Sequence, residues 1–184
     1  MNVLQCVTIA YFKQALRLPE ALTALIILMA PFHSLCQQAV GKKDGSENLN
    51  PSPSFVSKVS SVLNKDSKTY GKQYLFDGSE ETCWNSDAGD LQWVIVKFEG
   101  IVSFSQIHLQ FQGGFSCSQC TVFCNLDGDH FKEIQKIYPA DDNKQQIFTL
   151  DSTATGKSIK LLFEQPTDTY GRIIVYNMDF LCSS

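Results

Sequence analysis

The segment Leu75–Ser86 constrains the fold of this chain more than any other. It reads Leu-Phe-Asp-Gly-Ser-Glu-Glu-Thr-Cys-Trp-Asn-Ser and is followed shortly by Gln92-Trp93-Val94-Ile95-Val96-Lys97-Phe98. Asp77-Gly78 marks a tight turn, because glycine takes a positive φ without steric cost. Asp77 and Thr82 can then face inward and tie the backbone of the loop. Trp84 is too large to lie loose and is expected to plug one end of a β core. Trp93 opens the next strand, so the two tryptophans are the expected anchors of core and loop. A loop bound in this way is a scaffold for recognition rather than a catalytic centre.

From Phe55 onward, short strands alternate with turn signals, and no long amphipathic helix is evident. The expected strands are Val56–Leu63, Trp93–Phe98, Gln106–Gln112, Thr121–Asn125, Phe131–Ile137, Gln146–Leu150, Ser158–Glu164 and Arg172–Leu181. Ile107, Leu109 and Phe111 alternate with Gln106, His108, Gln110 and Gln112, the period-two pattern of a half-buried strand. Trp93-Val94-Ile95-Val96 is apolar on both faces, which predicts a central strand. Asp127-Gly128, Gly113-Gly114, Pro139–Asn143 and Pro166 punctuate the strands. About eight strands at this spacing predict an all-β, two-sheet sandwich of jelly-roll type.

Upstream, residues 37–54 are rich in Gln, Lys, Asp, Gly, Ser, Asn and Pro and read as a linker. The domain is therefore expected over residues 55–184. Residues 21–32 form an apolar run preceded by Lys13 and Arg17, with Ser34 and Cys36 placed like the small residues of a cleavage site. This run is too short to span a bilayer as a helix. Three readings of residues 1–36 stay open: an alternative-exon extension, a secretory signal peptide, and a peripheral membrane anchor.

Charge and cysteine usage narrow the function. Residues 55–184 carry 11 Lys and Arg against 16 Asp and Glu, a net charge of −5. An acidic domain without a basic stripe is a poor binder of DNA or RNA, whose phosphates demand clustered cations. The seven cysteines, five of them in the domain, do not form a complete disulfide framework. No Asn-x-Ser/Thr acceptor occurs, since Asn50-Pro51-Ser52 carries a proline. Both features point to a reducing compartment. Cys117, Cys120 and Cys124 have a spacing that could hold zinc, but a fourth ligand would have to come from another strand. Cys120, Val122 and Cys124 share one strand face, so buried thiols are expected and no zinc. None of the three histidines, His33, His108 and His130, sits in a catalytic motif, and no residue is assigned a catalytic role.

The order of Asp77-Gly78, Thr82, Trp84, Ser86 and the Trp93 strand resembles the discoidin-like (galactose-binding-like, F5/8 type C) β-sandwich family. Asn125–Asp129 resembles a hairpin of that family. Ser60–Asn64, Leu75–Asp77, Glu80–Asp87, Phe111–Phe115 and Tyr170–Arg172 are similar to a nuclear-receptor-associated branch within it. The resemblance covers roughly Val56 to Leu181. It implies a non-enzymatic module in the nucleus that binds an orphan nuclear receptor and represses its transactivation. The family also holds secreted lectins and adhesion modules that bind sugar or phospholipid, and others that serve as subunits of intracellular assemblies.

In several family members a structural calcium lies under the loop. Asp77 and Thr82 match its ligand positions, with Asn177 at the distal acidic position. Asn177 is a weaker ligand than glutamate, so a metal-free loop in which Asp77 caps backbone amides is the expected state, and no cofactor is expected. The family places ligands on loops at one end of the barrel. Phe115, Tyr170 and Arg172 are the candidates here for a ligand or partner face, with Tyr70 and Tyr74 further aromatics. Arg172 would otherwise pair with an acid such as Asp168 or Asp87.

Overall fold

The computed structural model describes residues 32–36, 53–126 and 130–183. The apolar run before Phe32, most of the 37–54 linker and the Asp127–Asp129 turn lie outside the described residues. Among the described residues, eight antiparallel strands form one hydrogen-bonded sheet: β1 (Phe32–Ser34), β2 (Phe55–Val59), β3 (Trp84–Asn85), β4 (Gln92–Phe111), β5 (Cys117–Asn125), β6 (Lys132–Ile137), β7 (Gln145–Pro166) and β8 (Ile174–Ser183). Between β2 and β3 come a one-turn α-helix, α1 (Ser67–Tyr70), and two 3₁₀ turns. The side chain of Asp66 caps α1 by accepting from the amides of Lys68 and Thr69.

β4 and β7 run for 20 and 22 residues, far beyond an ordinary strand. They pair along most of their length, with register shifts between Lys97 and Val102 and between Phe104 and Gln106. Such bulges bend a strand and let one ribbon serve two layers. The first half of β4 pairs with β2, and the second half of β7 carries β5 and β6 beyond it. The second half of β4 pairs with β8, which is flanked by β1 and β3. The ribbon thus folds over on itself as a sandwich.

The core lies between the layers. Phe163 of β7 meets Phe111 of β4 at 5.8 Å and Trp84 of β3 at 6.1 Å between ring centroids. Phe104 meets Phe180 edge-on at 5.5 Å. Val94, Val96 and Phe98 face inward, as do Ile107, Leu109 and Phe111. The period-two reading of Gln106–Gln112 therefore holds. Four expected strands merge into β4 and β7, because their separating polar residues are bulges rather than turns. The strand expected over Val56–Leu63 ends at Val59 and gives way to a 3₁₀ turn, with Asn64 and Lys65 at positive φ. Trp93 and Ile95 are only half-buried: β4 is central in its layer, but their face points away from the core.

β1 lies upstream of the boundary placed near Ser54. It continues the sheet beyond β8, with Phe32, His33 and Ser34 opposite Ser183, Cys182 and Leu181. Leu35 donates its amide to the carbonyl of Phe180, and the amide of Cys36 donates to Asp179 Oδ1 at 3.0 Å. Cys36 is fully buried.

Candidate functional site

The loop blocks singled out in the sequence assemble into one polar clamp. The indole Nε1 of Trp84 donates to the carbonyl of Ser61 at 3.0 Å, with its ring fully buried. Ser60 and Ser61 both donate their hydroxyls to Gln92 Oε1, at 2.5 and 3.0 Å. Gln92 Nε2 donates in turn to the carbonyl of Asp87 at 2.9 Å, and the amide of Asp87 donates to Ser61 Oγ. Ser86 Oγ accepts from the amide of Ile173, and the amide of Ser86 donates back to the carbonyl of Ile173. A buried glutamine and a buried serine thus have their hydrogen-bonding groups used, as burial demands.

This clamp sets the loop that follows β7. Gly171 has φ +77°, and a Cβ there would lie 2.3 Å from the carbonyl oxygen of Gly89. Only glycine lets the two loops close this tightly. Arg172 is delivered beside them. Its Nε and Nη2 donate to Asp168 Oδ2 and Oδ1 at 2.9 and 3.1 Å, a bidentate pair. Asp168 also accepts from the amides of Tyr170 and Arg172. The bond from the Arg172 guanidinium holds the Asp168 carboxyl below its ordinary range and raises the pKa of the arginine.

The guanidinium carbon of Arg172 lies 5.0 Å from the ring centroid of Phe115 and 5.5 Å from that of Tyr170. All three residues expected on the ligand or partner face therefore meet, with the arginine between the two rings. Tyr170 is 71% exposed. Phe115 is carried in by a turn in which Gly114 has φ +84°. Asp141 fixes that turn, accepting from the amide of Gly114 at 2.8 Å, the hydroxyl of Ser116 at 2.9 Å and Thr167 Oγ1 at 3.3 Å. The sequence reading gave Asp141 no role beyond its place in a turn cluster. The result is a fixed aromatic and arginine patch with its charge neutralised by Asp168, suited to stacking and hydrogen bonding. The Tyr74 hydroxyl donates to the carbonyl of Lys68, a local use within its own loop. Tyr70 is half-buried at the end of α1.

The Asp77 loop is closed by its own groups. Asp77 Oδ1 accepts from the amide of Ser79 at 3.0 Å, and Oδ2 accepts from Thr82 Oγ1 at 2.6 Å. Asn177 lines the same groove as Gly78, Ser79 and Glu80, and its Oδ1 is buried without a hydrogen-bond partner among the described residues. Both Asp77 carboxylate oxygens are thus engaged inside the loop, and most of the six to eight oxygens a hard cation takes would have to be backbone carbonyls. Among the described residues, no group of three or more His, Cys, Asp and Glu could hold a metal ion.

On β5, Cys117, Cys120 and Cys124 are all buried. Burial raises their thiol pKa values, that of Cys117 to about 12. At neutral pH such burial keeps the thiols protonated, as for small buried side chains packed in a core. Beside them Glu164 accepts from Thr121 Oγ1 and Gln119 Nε2.

Residues 56–176 match the F5/8 type C domain family. The chain is 54% identical over 127 residues to the nuclear receptor 2C2-associated protein of Xenopus laevis, covering 68% of this chain and 92% of that protein. It is 40% identical over 129 residues to the Homo sapiens protein of the same name, covering 70% and 92%. Among solved structures it resembles chitosan-binding module 1 of a Paenibacillus chitosanase/glucanase, with TM-score 0.62 and 16% identity over 80% of this chain and 98% of the module. It also resembles an F5/8 type C domain from Bacteroides fragilis, with TM-score 0.63 and 12% identity over 71% and 93%. Identities this low speak for the fold alone. Sheet, loop clamp and relatives agree: the chain belongs to the F5/8 type C, discoidin-like family, and within it to the group of nuclear receptor 2C2-associated proteins.

Proposed function

We propose that this chain is a non-enzymatic protein-interaction module that binds an orphan nuclear receptor in the nucleus and lowers its transactivation. The observation that carries this reading is the 40–54% identity to proteins named for association with a nuclear receptor, over about nine-tenths of their length. The net charge of −5 on residues 55–184 supports action through the receptor rather than through DNA. Repression would follow if the module covers the receptor surface that engages its DNA element. The contact face is the Phe115, Tyr170 and Arg172 patch. Tyrosine and arginine dominate binding energy at protein interfaces, and a side chain already fixed by stacking and by Asp168 loses little freedom on docking.

The loop under Asp77 is read as metal-free, tied by Ser79 and Thr82. The N-terminal strand supports a chain retained inside the cell. A cut after Cys36, as in a secretory precursor, would remove β1 and a fully buried core residue. Among the described residues no helix is long and apolar enough to cross a membrane.

The test is co-precipitation of the receptor from nuclear extract with the tagged full chain. Tyr170→Ala and Arg172→Ala are expected to weaken capture by at least about tenfold each, the scale of an interface hot spot. Failure of the wild-type chain to capture the receptor removes the reading. Saturable, specific binding on a glycan or lipid-headgroup array would replace it with a secreted lectin.

A further inference from the structure

A groove of about 1020 Å³ opens on the face of the sheet turned away from the core. Its floor is the polar face of β4 and β8, where Gln110 and His108 stand opposite Asn177 and Asp179. Gln145 of β7, opposite Gln110, continues it. Two side-chain atoms of its lining residues are buried and have no hydrogen-bond partner among the described residues: His108 Nε2 and Asn177 Oδ1. Asp179 differs, since its carboxylate is held by the amides of Cys36 and Phe180 and by Ser34. Native proteins seldom leave buried polar atoms unpaired, and each such atom calls for a reason.

The ligand chemistry follows from the lining. Of the charged lining residues, Asp179 is already engaged by the amides of Cys36 and Phe180, and Glu80 and Lys144 are of opposite sign, so the groove holds no cluster of one charge. Four carboxamides line it, Gln110, Asn143, Gln145 and Asn177. Gln110 Nε2 is spent on the carbonyl of Asn143, and Asn143 Oδ1 on the amide of Gly113, which leaves Gln145 and Asn177 Oδ1 to meet the donors and acceptors of a peptide main chain. The lining extends along β8 from Asn177 to Leu181, four strand steps or about 13 Å, the reach of four or five extended residues. Saccharides are commonly gripped by stacking on an aromatic ring. Here the described floor offers His108 and amides, and Phe32 lies at the β1 rim.

We propose that this groove binds an extended peptide segment of a partner protein, with Asn177 Oδ1 accepting a main-chain amide and His108 bonding beside it. The site is separate from the Phe115, Tyr170 and Arg172 patch and stands whether or not that patch contacts a receptor.

The test is selection of random twelve-residue peptides displayed on phage against the full chain, with affinities of the selected peptides measured by calorimetry. Asn177→Leu is expected to weaken binding at least tenfold while leaving the melting temperature unchanged or raised, because it removes an unpaired buried oxygen. Gln145→Ala, at an exposed position, is expected to weaken binding severalfold while leaving the melting temperature unchanged. Tyr170→Ala is expected to leave it unchanged, which separates this site from the receptor-binding reading. The proposal is overturned if no peptide is enriched, or if selected peptides bind Asn177→Leu and Gln145→Ala as tightly as wild type. It is also overturned if Asn177→Leu lowers the melting temperature, which would show that Asn177 is already satisfied. Saturable glycan binding abolished by the same variants would make it a saccharide site and overturn it too.

Discussion

At the scale of single residues, two positions show how particular residues hold the loops of this chain. Gly171 must be glycine for two independent reasons, a positive φ and the oxygen of Gly89 where a Cβ would go. Gly171→Ala is expected to cost about 1–3 kcal/mol in backbone strain, before any clash with Gly89 is counted. Chemical denaturation would show it, and an unchanged midpoint would sink the account. Asp77 holds its loop with two charge-assisted hydrogen bonds, one from the amide of Ser79 and one from the hydroxyl of Thr82. Asp77→Ala is expected to cost about 1–3 kcal/mol. Because the loop closes itself, calcium and a chelator should leave the wild-type melting temperature within experimental error. A rise on adding calcium would identify the loop as a metal site after all. Asp77, Thr82 and Trp84 were legible in the sequence because a turn, a cap and a buried ring each leave a local mark. Asp141 was not, since its three acceptances come from residues distant along the chain.

At the scale of elements, β1 carries the clearest consequence. The sequence reading placed Ser34 and Cys36 in a signal-like segment, and nothing in residues 32–36 alone marks a strand. The carboxylate of Asp179 makes it one, together with the open edge of β8. A chain starting at Gln37 loses the burial of Leu35 and Cys36 and leaves Asp179 short of a partner. It is expected to be about 2–4 kcal/mol less stable than the full chain. A thermal melt of the two would decide this, and equal stability would mean that β1 is dispensable. β4 and β7 make a related point. Their halves look like separate strands because polar residues interrupt the alternation at Glu99–Gly100 and Asp151–Thr153. An interruption reads the same in sequence whether the chain turns back or merely bends, and the pairing partner decides which.

For the whole molecule, the titrating groups give stability a direction in pH. Asp66, Glu164 and Asp168 are held below their ordinary values by hydrogen bonds from Thr69, Thr121 and Arg172 respectively. Each contributes stability above its unfolded pKa, of 3.8 or 4.5, that is lost as pH falls through its lowered value. Burial lowers His108 below 6.5, so its contribution begins to fall away below that pH. Asp179 is raised by burial and opposes them, contributing below 3.8 and losing that contribution as pH rises through its raised value. Four groups against one predict a melting temperature that declines on acidification, starting below pH 6.5 and steepening near pH 4. A flat profile from pH 7 to pH 3 would contradict the assignment.

The family, the all-β class and the inward faces of β4 were fixed by sequence alone, because alternation, turn residues and a buried tryptophan act between near neighbours. The meeting of Phe115, Tyr170 and Arg172 was anticipated only as a set of candidates. Their contact depends on Gly114, Gly171 and Asp141 closing loops that are far apart along the chain. The groove and its two unpaired atoms left no sequence signal, because an outward polar residue looks the same whether it faces solvent or a shared concavity. Only the folding of the long ribbon onto itself, with β1 added at its edge, decided which polar residues became surface and which became floor.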